Sequence, residues 1–363
     1  MKRDKNKGSE RAFRLAYVFF VATILLIIFY CLKWLDGFLY DYEASMPIHV
    51  MEEIFADIER DCAGYVLANS ETQLNELETE EMLKEYIDGY YSGRKLSFGR
   101  KDGEYSNKAP VYLVMADEHE LATVKLKNTA PEGSRFDEWA VDSVTVKEFH
   151  PVSYTVSAPE SSEVFVNGVR LSQGYNDGTK KELPELKSIY YAGEKPCITG
   201  YEFSLYCGEP EIFAVDFTGA ECVPAEEKEG YDYAFVQAED EALKSELSEY
   251  ILEVARTSCN YATNDIPYSS LIPYINKEAP IYQRLLYAYT QFYADHTAVR
   301  FENETVRNLI RYDENNFSCD VDFDHYVTFK GKEFHFFVSY TFFFEYIDGR
   351  WLIGDQLNNS VNE

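Results

Sequence analysis

Two side chains that can move a proton, His325 and Asp355, lie in the most aromatic part of the sequence, residues 317–356. An imidazole or carboxylate held in apolar surroundings has a shifted pKa and can act as a general acid or base. Aromatic neighbours such as Tyr340 and Trp351 would complete a pocket around them. These four residues are the predicted ligand-binding residues. No residue is predicted to be catalytic or to bind a metal.

The register of the strands that carry His325 follows from a turn motif. A two-residue turn at Lys330-Gly331 would pair Phe329 with Lys332 and place His325 opposite Phe336. A shift by one residue would bury a row of aspartates instead, so this register is favoured. The apolar residues that share the inward face are then Phe317, Cys319, Val321, Phe323, Val327, Phe329, Phe334, Phe336, Val338, Tyr340, Phe342, Phe344 and Tyr346.

A second turn, at Asp348-Gly349, would pair Tyr346 with Trp351 and Phe342 with Asp355. His325 and Asp355 would then be two polar exceptions on one concave aromatic face. Three interpretations stay open. The pair transfers protons in catalysis, or it lines a ligand pocket without catalysis, or His325 is a hydrogen-bonded core residue while Asp355 reaches solvent.

The other chemistry-bearing residues form no recognisable motif. Asp320, Asp322 and Asp324 alternate along one strand, which is typical of a solvated face rather than of a calcium-binding loop. The sequence contains no Gly-rich phosphate loop, no GxSxG elbow, no HExxH helix and no CxxC pair. No cofactor is therefore predicted, and a non-enzymatic role is favoured over catalysis.

Residues 15–32 form an uncharged run of 18 residues between Arg14 and Lys33. At ~1.5 Å per residue a helix of this length spans ~27 Å, close to the hydrocarbon thickness of a bilayer. We therefore predict a transmembrane helix at 15–35, with Trp34 at an interface. The residues that end the run are bulky rather than small, so a retained anchor is favoured over a cleaved signal peptide.

The charge distribution predicts the orientation of this anchor. Residues 1–14 contain six basic and two acidic side chains, whereas the whole chain carries a formal charge of −29. Basic flanks remain in the cytoplasm, so residues 1–14 are expected to be a cytoplasmic tail and residues 36–363 to lie outside the cell membrane. The acidic character of the outer part argues against nucleic acid as a partner.

After a short stalk at 36–46, residues 47–149 are predicted to form an α+β domain. Apolar residues recur at helical spacing over 47–67, and Thr79 opens a second helix that ends at Tyr91. Three strand-like runs follow, at 111–115, 121–126 and 139–146.

Residues 150–225 have no helical periodicity and are predicted to be an all-β module. Asn167-Gly168 predicts a type I′ turn that pairs Val166 with Val169 and Val164 with Leu171. A second hairpin is expected between residues 201–207 and 211–217.

A polar linker then leads into a second α+β domain at 226–363. One helix is predicted over 235–258 and another over 281–294. The predicted strands are 298–304, 317–329, 333–347 and 351–356.

Two stretches resemble known families. FVSYTFFFEYIDGRWLIGDQ at 337–356 resembles the closing strands of NTF2-like domains, and VFVNGVRL at 164–171 resembles the hairpin of PEGA-type or immunoglobulin-like envelope modules. The order of segments is similar to that of teicoplanin-resistance-associated (TcaA-type) membrane proteins of Gram-positive bacteria. That family often begins with a cytoplasmic zinc ribbon, whereas residues 1–14 here contain no cysteine.

The resemblance implies an α+β fold with an N-terminal transmembrane helix. Two NTF2-like domains, each a cystatin-like cone of helix on antiparallel sheet, would flank a small sandwich-like all-β module. The implied function is that of a single-pass membrane-anchored, extracytoplasmic binding or scaffold protein of the bacterial cell envelope, with cell-wall polymer or envelope proteins as partners. The alternative is an isomerase- or dehydratase-like enzyme that uses the apolar cone of the last domain.

Six of the seven cysteines lie outside the anchor. In an NTF2-like fold the first helix crosses the concave face of the sheet, which would bring Cys259 towards Cys319. A disulfide and two separately buried thiols are the alternatives there. The sequence assigns no pairing to Cys197, Cys207 or Cys222.

Overall fold

The structure, a computed structural model, describes residues 5–191, 193–225, 230–287 and 296–360, with side chains described from Arg11 onward. The chain divides into two compact units. Both are mixed α+β, with several sheets that are almost entirely antiparallel. Unit 1 comprises Met1–Leu74 and Thr79–His150, and unit 2 comprises Asn75–Glu78 and Pro151–Glu363. The predicted linker residues 226–229 and helical residues 288–294 lie outside the described residues.

Unit 1 begins with helix α1, Lys5–Ala44. Its portion Arg11–Ala44 is long and apolar enough to cross a membrane, and none of its apolar window is buried inside the fold. The segment predicted as a stalk, 36–46, is helical as far as Ala44. A short turn then leads to Pro47, which starts the next helix.

Helices α2 (Pro47–Arg60) and α3 (Cys62–Ala68) replace the single helix that was predicted over 47–67. The break has a local cause at Asp61. Its carboxylate accepts a hydrogen bond from the Gly64 N–H at 3.0 Å, which caps a new helix.

Helix α4 (Glu80–Tyr91) and a four-stranded sheet complete unit 1. The helix starts as predicted, with the Thr79 hydroxyl accepting a hydrogen bond from the Met82 N–H at 3.3 Å. The first strand was not predicted, because its sequence LSFGR has only two apolar residues, Leu96 and Phe98, which is too short a run to indicate a strand. In sheet order the antiparallel strands are β1 Leu96–Arg100, β2 Val111–Ala116, β3 His119–Asn128 and β4 Trp139–Val146.

Unit 2 contains an all-β module of two sheets, one of three strands and one of five. The predicted hairpin is confirmed, since Val166 pairs with Val169 and the turn residues Asn167 and Gly168 have φ angles of 50° and 78°. The strands are β5 Val152–Pro159, β6 Glu163–Val166, β7 Val169–Arg170, β8 Asn176–Glu182, β9 Cys197–Leu205, β10 Ile212–Val215, β11 Val223–Pro224 and β12 Asp232–Val236.

The second predicted hairpin is wrong. Strand β9 pairs with β5 and β8, whereas β10 pairs with β6 in the other sheet. The residues between them, which include Gly208, therefore cross from one sheet to the other instead of turning back. The Gly208 carbonyl accepts a hydrogen bond from the Tyr154 hydroxyl at 2.7 Å, which holds this crossing against the core.

Residues 75–78 belong to unit 2 although the flanking residues belong to unit 1. Leu77 is 1% exposed and lies in the core of the all-β module. The Glu78 carboxylate accepts hydrogen bonds from the N–H groups of Tyr206 at 2.8 Å and Cys207 at 2.7 Å. The Asn75 amide donates to the Ser204 carbonyl at 2.7 Å. This segment is therefore an integral part of the module.

Helix α5 (Glu241–Ala262) starts later than predicted, since the residues around Phe235 form β12 and pair with β5. The Asp240 carboxylate caps the helix by accepting from the Leu243 N–H at 2.9 Å. A short helix α6, Pro280–Leu286, overlaps the first part of the helix predicted over 281–294.

The last sheet is a four-stranded antiparallel meander, and one of its faces packs against α5. The predicted pairs of Phe329 with Lys332 and of His325 with Phe336 are confirmed. The first strand of this sheet is longer than predicted. The strands are β13 Ala298–Arg311, β14 Asn316–Phe329, β15 Lys332–Ile347 and β16 Arg350–Asn358.

Two β-bulges interrupt the pairing of β13 with β14. Each contains an asparagine in the left-handed region, Asn303 with φ 53° and Asn308 with φ 51°. Bulges bend a strand and increase its twist, which suits a sheet that curves around a helix. The second bulge places Leu309 in the core, where its side chain is fully buried.

Candidate functional site

His325 lies inside the core of the last sheet, with 2% of its surface exposed. Its ring stacks on Phe301, with 5.0 Å between ring centres and 16° between ring planes. Its Nδ1 atom lies 3.6 Å from Cys259 Sγ. Its Nε2 atom has no hydrogen-bond partner among the described residues. The packing therefore holds the imidazole in place, but only one of its two ring nitrogens has a hydrogen-bonding contact.

Cys259 connects His325 to Tyr340, because its thiol is also hydrogen-bonded to the Tyr340 hydroxyl. Burial raises the pKa of Cys259 to about 12 and raises the pKa of Tyr340 well above its usual value. Burial lowers the pKa of His325. All three groups are therefore neutral near pH 7, and the contact is not an activated thiolate–imidazolium pair.

We expect His325 to make the stability of unit 2 depend on pH. Its pKa is lower in the folded than in the unfolded state, so the unfolded state takes up the proton first as the pH falls. The stability is then fully present above the unfolded-state pKa of about 6.5 and is lost as the pH falls below it. Thermal unfolding of the full chain between about pH 7.5 and pH 5 measures this slope.

His325→Phe keeps a ring on Phe301 and should flatten that slope. The exposed His150, replaced by Gln, is the matched control and should leave the slope unchanged. A His325→Phe protein with the original slope would contradict the assignment.

Cys259 and Cys319 do not form a disulfide; both are free thiols buried in one core. The reason is their position along the sheet. Cys319 lies six residues before His325 on β14, or about 20 Å at ~3.3 Å per residue. Cys259 Sγ lies 3.6 Å from His325 Nδ1, which places it near a different part of that strand from Cys319.

Asp355 lies on the opposite face from His325, and the predicted pairing of Phe342 with Asp355 is wrong. The predicted pair of Phe344 with Ile353 does form, but Asp355 then pairs with Phe343. A β-bulge at Gly354 inserts the extra residue and reverses the direction of every later side chain. A Cβ at Gly354 would lie 2.5 Å from the Glu345 carboxylate, so glycine suits this position.

On its own face Asp355 is fully buried and accepts several hydrogen bonds. The Tyr190 N–H donates at 2.6 Å and the Gln356 N–H at 2.8 Å. The Arg284 guanidinium forms an ion pair with the same carboxylate and also donates to the Gln356 carbonyl at 2.9 Å. Asp355 therefore ties together the all-β module, α6 and β16, and it does not reach solvent.

Trp351 lies near the far end of the sheet from His325. Its ring packs edge-on against Phe317, with 4.7 Å between ring centres. Phe317 and His325 are eight residues apart on β14, or about 26 Å. Of the four predicted ligand-binding residues, the structure thus brings together only His325 and Tyr340.

The row of aspartates lies on the outer face of β14, as the register predicts. Their carboxylates are not simply solvated, because side chains of β13 and β15 bind them. Asp320 accepts from Asn308 and Thr341, Asp322 pairs with Arg307, and Asp324 accepts from Asn303 and lies against His335. Among the described residues no group of three or more side chains is arranged to hold a metal ion.

A groove of about 550 Å³ lies in the all-β module, a volume within the usual range for ligand sites. Residues of β7 and β8 line it, and each of these strands is the edge strand of its sheet. Its apolar residues, Val164 and Leu171, are 2% and 7% exposed. Polar side chains that line it include Glu163, Arg170, Gln173, Asn176, Lys180 and Tyr201.

The charges along this groove are compensated in pairs. Arg170 lies 3.0 Å from Glu163, and Lys180 pairs with Glu160. The Cys197 thiol and then Lys180 hold the pKa of Glu160 below its usual value. Burial raises the pKa of Tyr201, whose hydroxyl is therefore neutral. The groove offers hydroxyl and amide groups without a net charge, which suits a neutral polar ligand.

Sequence reasoning missed this groove. Its lining residues come from four strands, from the turn before β6 and from the segment after β7, so they are scattered along the sequence. The nearest signal was the Asn167-Gly168 turn, which predicts β6 and β7 but not the strand that faces them.

No protein-family model matches the chain, and no curated protein matches it. Among solved structures, the chain is similar to one described as an "Ntf2 like protein involved in plasmid conjugation". The similarity covers 77% of this chain and 85% of that chain, at 10% identity and a TM-score of 0.23. A TM-score of this size does not establish a shared arrangement of domains, and the fold described above is independent of it.

Proposed function

We propose that the protein is a single-pass membrane-anchored binding protein of the bacterial cell envelope, with residues 36–363 outside the cytoplasm and a cell-wall polymer as ligand. The observation that carries the proposal is the polar groove of the all-β module, whose charges are paired and sum to zero. The exposed apolar surface of Arg11–Ala44 supports the anchor, and the basic residues that precede it support the orientation. Docking of an envelope protein is the other expected partnership.

The chemistry of the groove favours the glycan part of such a polymer. A sugar ring has an apolar C–H face and a rim of hydroxyl or acetamido groups. Tyr201 and the apolar residues of the groove can pack against the C–H face, and Gln173 and Asn176 can hydrogen-bond to the polar rim. Because the groove charges are paired, a neutral ligand displaces water from it without leaving an uncompensated charge.

Binding of an N-acetylglucosamine tetramer to the full chain in nanodiscs tests the proposal. We expect saturable binding by calorimetry, weakened about tenfold or more by Tyr201→Ala, because aromatic side chains that line a site often carry much of the affinity. Tyr190→Ala is the matched control, since Tyr190 is 66% exposed and does not line the groove. No saturable binding, or equal loss in both variants, would overturn the proposal.

The NTF2-like assignment and membership of the TcaA-type family are parts of the same proposal. The packing of helix α5 on a four-stranded antiparallel sheet supports the first. The isomerase- or dehydratase-like alternative depends on His325 and Asp355 acting together. These residues lie on opposite faces of the sheet, so the described residues give that alternative no paired acid and base.

A further inference from the structure

An aromatic collar formed by Trp34, Phe38 and Phe136 lies on helix α1 just after its most apolar part. Trp34 stacks on Phe38 with 5.7 Å between ring centres, and Phe38 contacts Phe136 at 5.4 Å. Phe136 belongs to the loop at 129–138 between β3 and β4. All of these residues are in unit 1, so the loop and the helix form one packed structure.

Arg135 lies over all three rings of the collar. Its guanidinium carbon is 4.4 Å from the centre of the Phe38 ring, 5.2 Å from that of Phe136 and 5.7 Å from that of Trp34. The side chain forms no ion pair within the described part of the chain, although Glu132 and Asp137 are close in sequence. Asp137 is bound by Asn128 instead. The donors of Arg135 that face away from the rings are therefore free for an anion.

The depth of the collar follows from helix geometry. The uncharged run ends at Leu32, so Trp34 lies ~3 Å and Phe38 ~9 Å further along the axis. The headgroup layer beyond the hydrocarbon core is roughly 5–8 Å thick on each side. Arg135, which spans Trp34 and Phe38, is thus placed at the level of the lipid phosphates.

A hydrogen bond also links the end of the loop to the end of α1. The Trp139 indole N–H donates to the Ser45 carbonyl at 3.0 Å. Trp139 is the first residue of β4, so this bond links the sheet of unit 1 to the residue that follows α1.

We propose that the loop at 129–138 is a second membrane contact, in which Arg135 binds a phospholipid phosphate and Phe136 lies among the headgroups. The inference rests on the proposed anchor. Arginine binds phosphate with two parallel N–H donors, and aromatic rings are favoured at the membrane–water interface. The collar therefore presents a guanidinium and aromatic rings, the two kinds of group that are stabilised in the headgroup layer. The partner is the bilayer that α1 crosses.

Photocrosslinking of the full chain in phosphatidylcholine nanodiscs tests the contact. Phe136→p-benzoylphenylalanine should yield a phospholipid adduct on irradiation, detected by mass spectrometry. Tyr105→p-benzoylphenylalanine is the matched control, since Tyr105 also lies under an arginine, Arg100 at 4.6 Å, but outside the collar. Arg135→Glu in the Phe136 variant should lower the adduct yield about threefold or more, because the cation–π contact and the phosphate ligand are both lost.

Phe29→p-benzoylphenylalanine, inside the apolar run, separates the two proposals. A lipid adduct at position 29 without one at position 136 would overturn the loop contact and leave the anchor intact. No lipid adduct at either position would overturn both. An adduct of position 136 with a second protein chain, in place of lipid, would also overturn the contact.

Discussion

Asp355→Ala is expected to destabilise unit 2 by roughly 2–4 kcal/mol, since buried donors left without an acceptor cost about 1–3 kcal/mol each. The N–H groups of Tyr190 and Gln356 and the guanidinium of Arg284 all lose their acceptor. Arg284 is partly exposed, so its guanidinium can donate to water instead. Most of the lost stability therefore comes from the two backbone N–H groups. Hydrogen exchange of the β14–β16 amides in the full chain measures the change in opening free energy.

Two variants show whether the Asp355 contacts themselves are responsible. Asp355→Asn keeps one acceptor oxygen and should lose less than Asp355→Ala. Glu314→Ala removes an exposed carboxylate before β14 and should change stability by less than about 0.5 kcal/mol. If Asp355→Ala matched Glu314→Ala, the proposed role of Asp355 as the link between the all-β module and β16 would be wrong.

Leu77→Ala is expected to destabilise the all-β module by about 2–4 kcal/mol, the usual cost of emptying a fully buried leucine site. Leu77 packs in one core with Phe203, Leu205 and Val166. Hydrogen exchange should report the loss at residues 197–207, where β9 and the donors to Glu78 lie.

Gln73→Ala, four residues earlier and exposed, is the control for Leu77 and should leave exchange at 197–207 unchanged. Glu78→Gln supplies a second measurement. It keeps the shape of the side chain but removes the charge that Tyr206 and Cys207 donate to, so its effect should be smaller than that of Leu77→Ala but at the same amides. Unchanged exchange in both variants would show that the 75–78 segment does not hold the module together.

Local turn chemistry predicted much of the last sheet. Lys330-Gly331 and Asp348-Gly349 determine which residues face each other near a turn, because a two-residue loop allows one register. The prediction held for Tyr346 with Trp351 and for Phe344 with Ile353, and it failed at Asp355. Whether a strand contains a bulge depends on how the whole strand pairs with its neighbours. A single glycine at position 354 was therefore not enough to predict the bulge.

The candidate sites were harder to predict than the strands. The alternation of apolar residues placed His325 inside, but it could not say that Cys259 would fill the space beside it, since that depends on where α5 crosses the sheet. The groove of the all-β module depends on which sheet β9 and β10 join. Both strands have sequences that suit a hairpin with each other, and long-range pairing with β5 and β6 prevails.

The 75–78 segment also bears on the order in which the chain can fold during synthesis. It leaves the ribosome more than seventy residues before Pro151, and its hydrogen-bond partners at 204–207 follow later still. Leu77 therefore stays exposed until β9 has been synthesised. Closing the long loop between residues 78 and 204 is slow. A fragment that begins at Pro151 would have an empty leucine site and two unpaired N–H groups in its core. Expression of the second unit by itself should therefore include residues 75–78, supplied as a linked or added peptide.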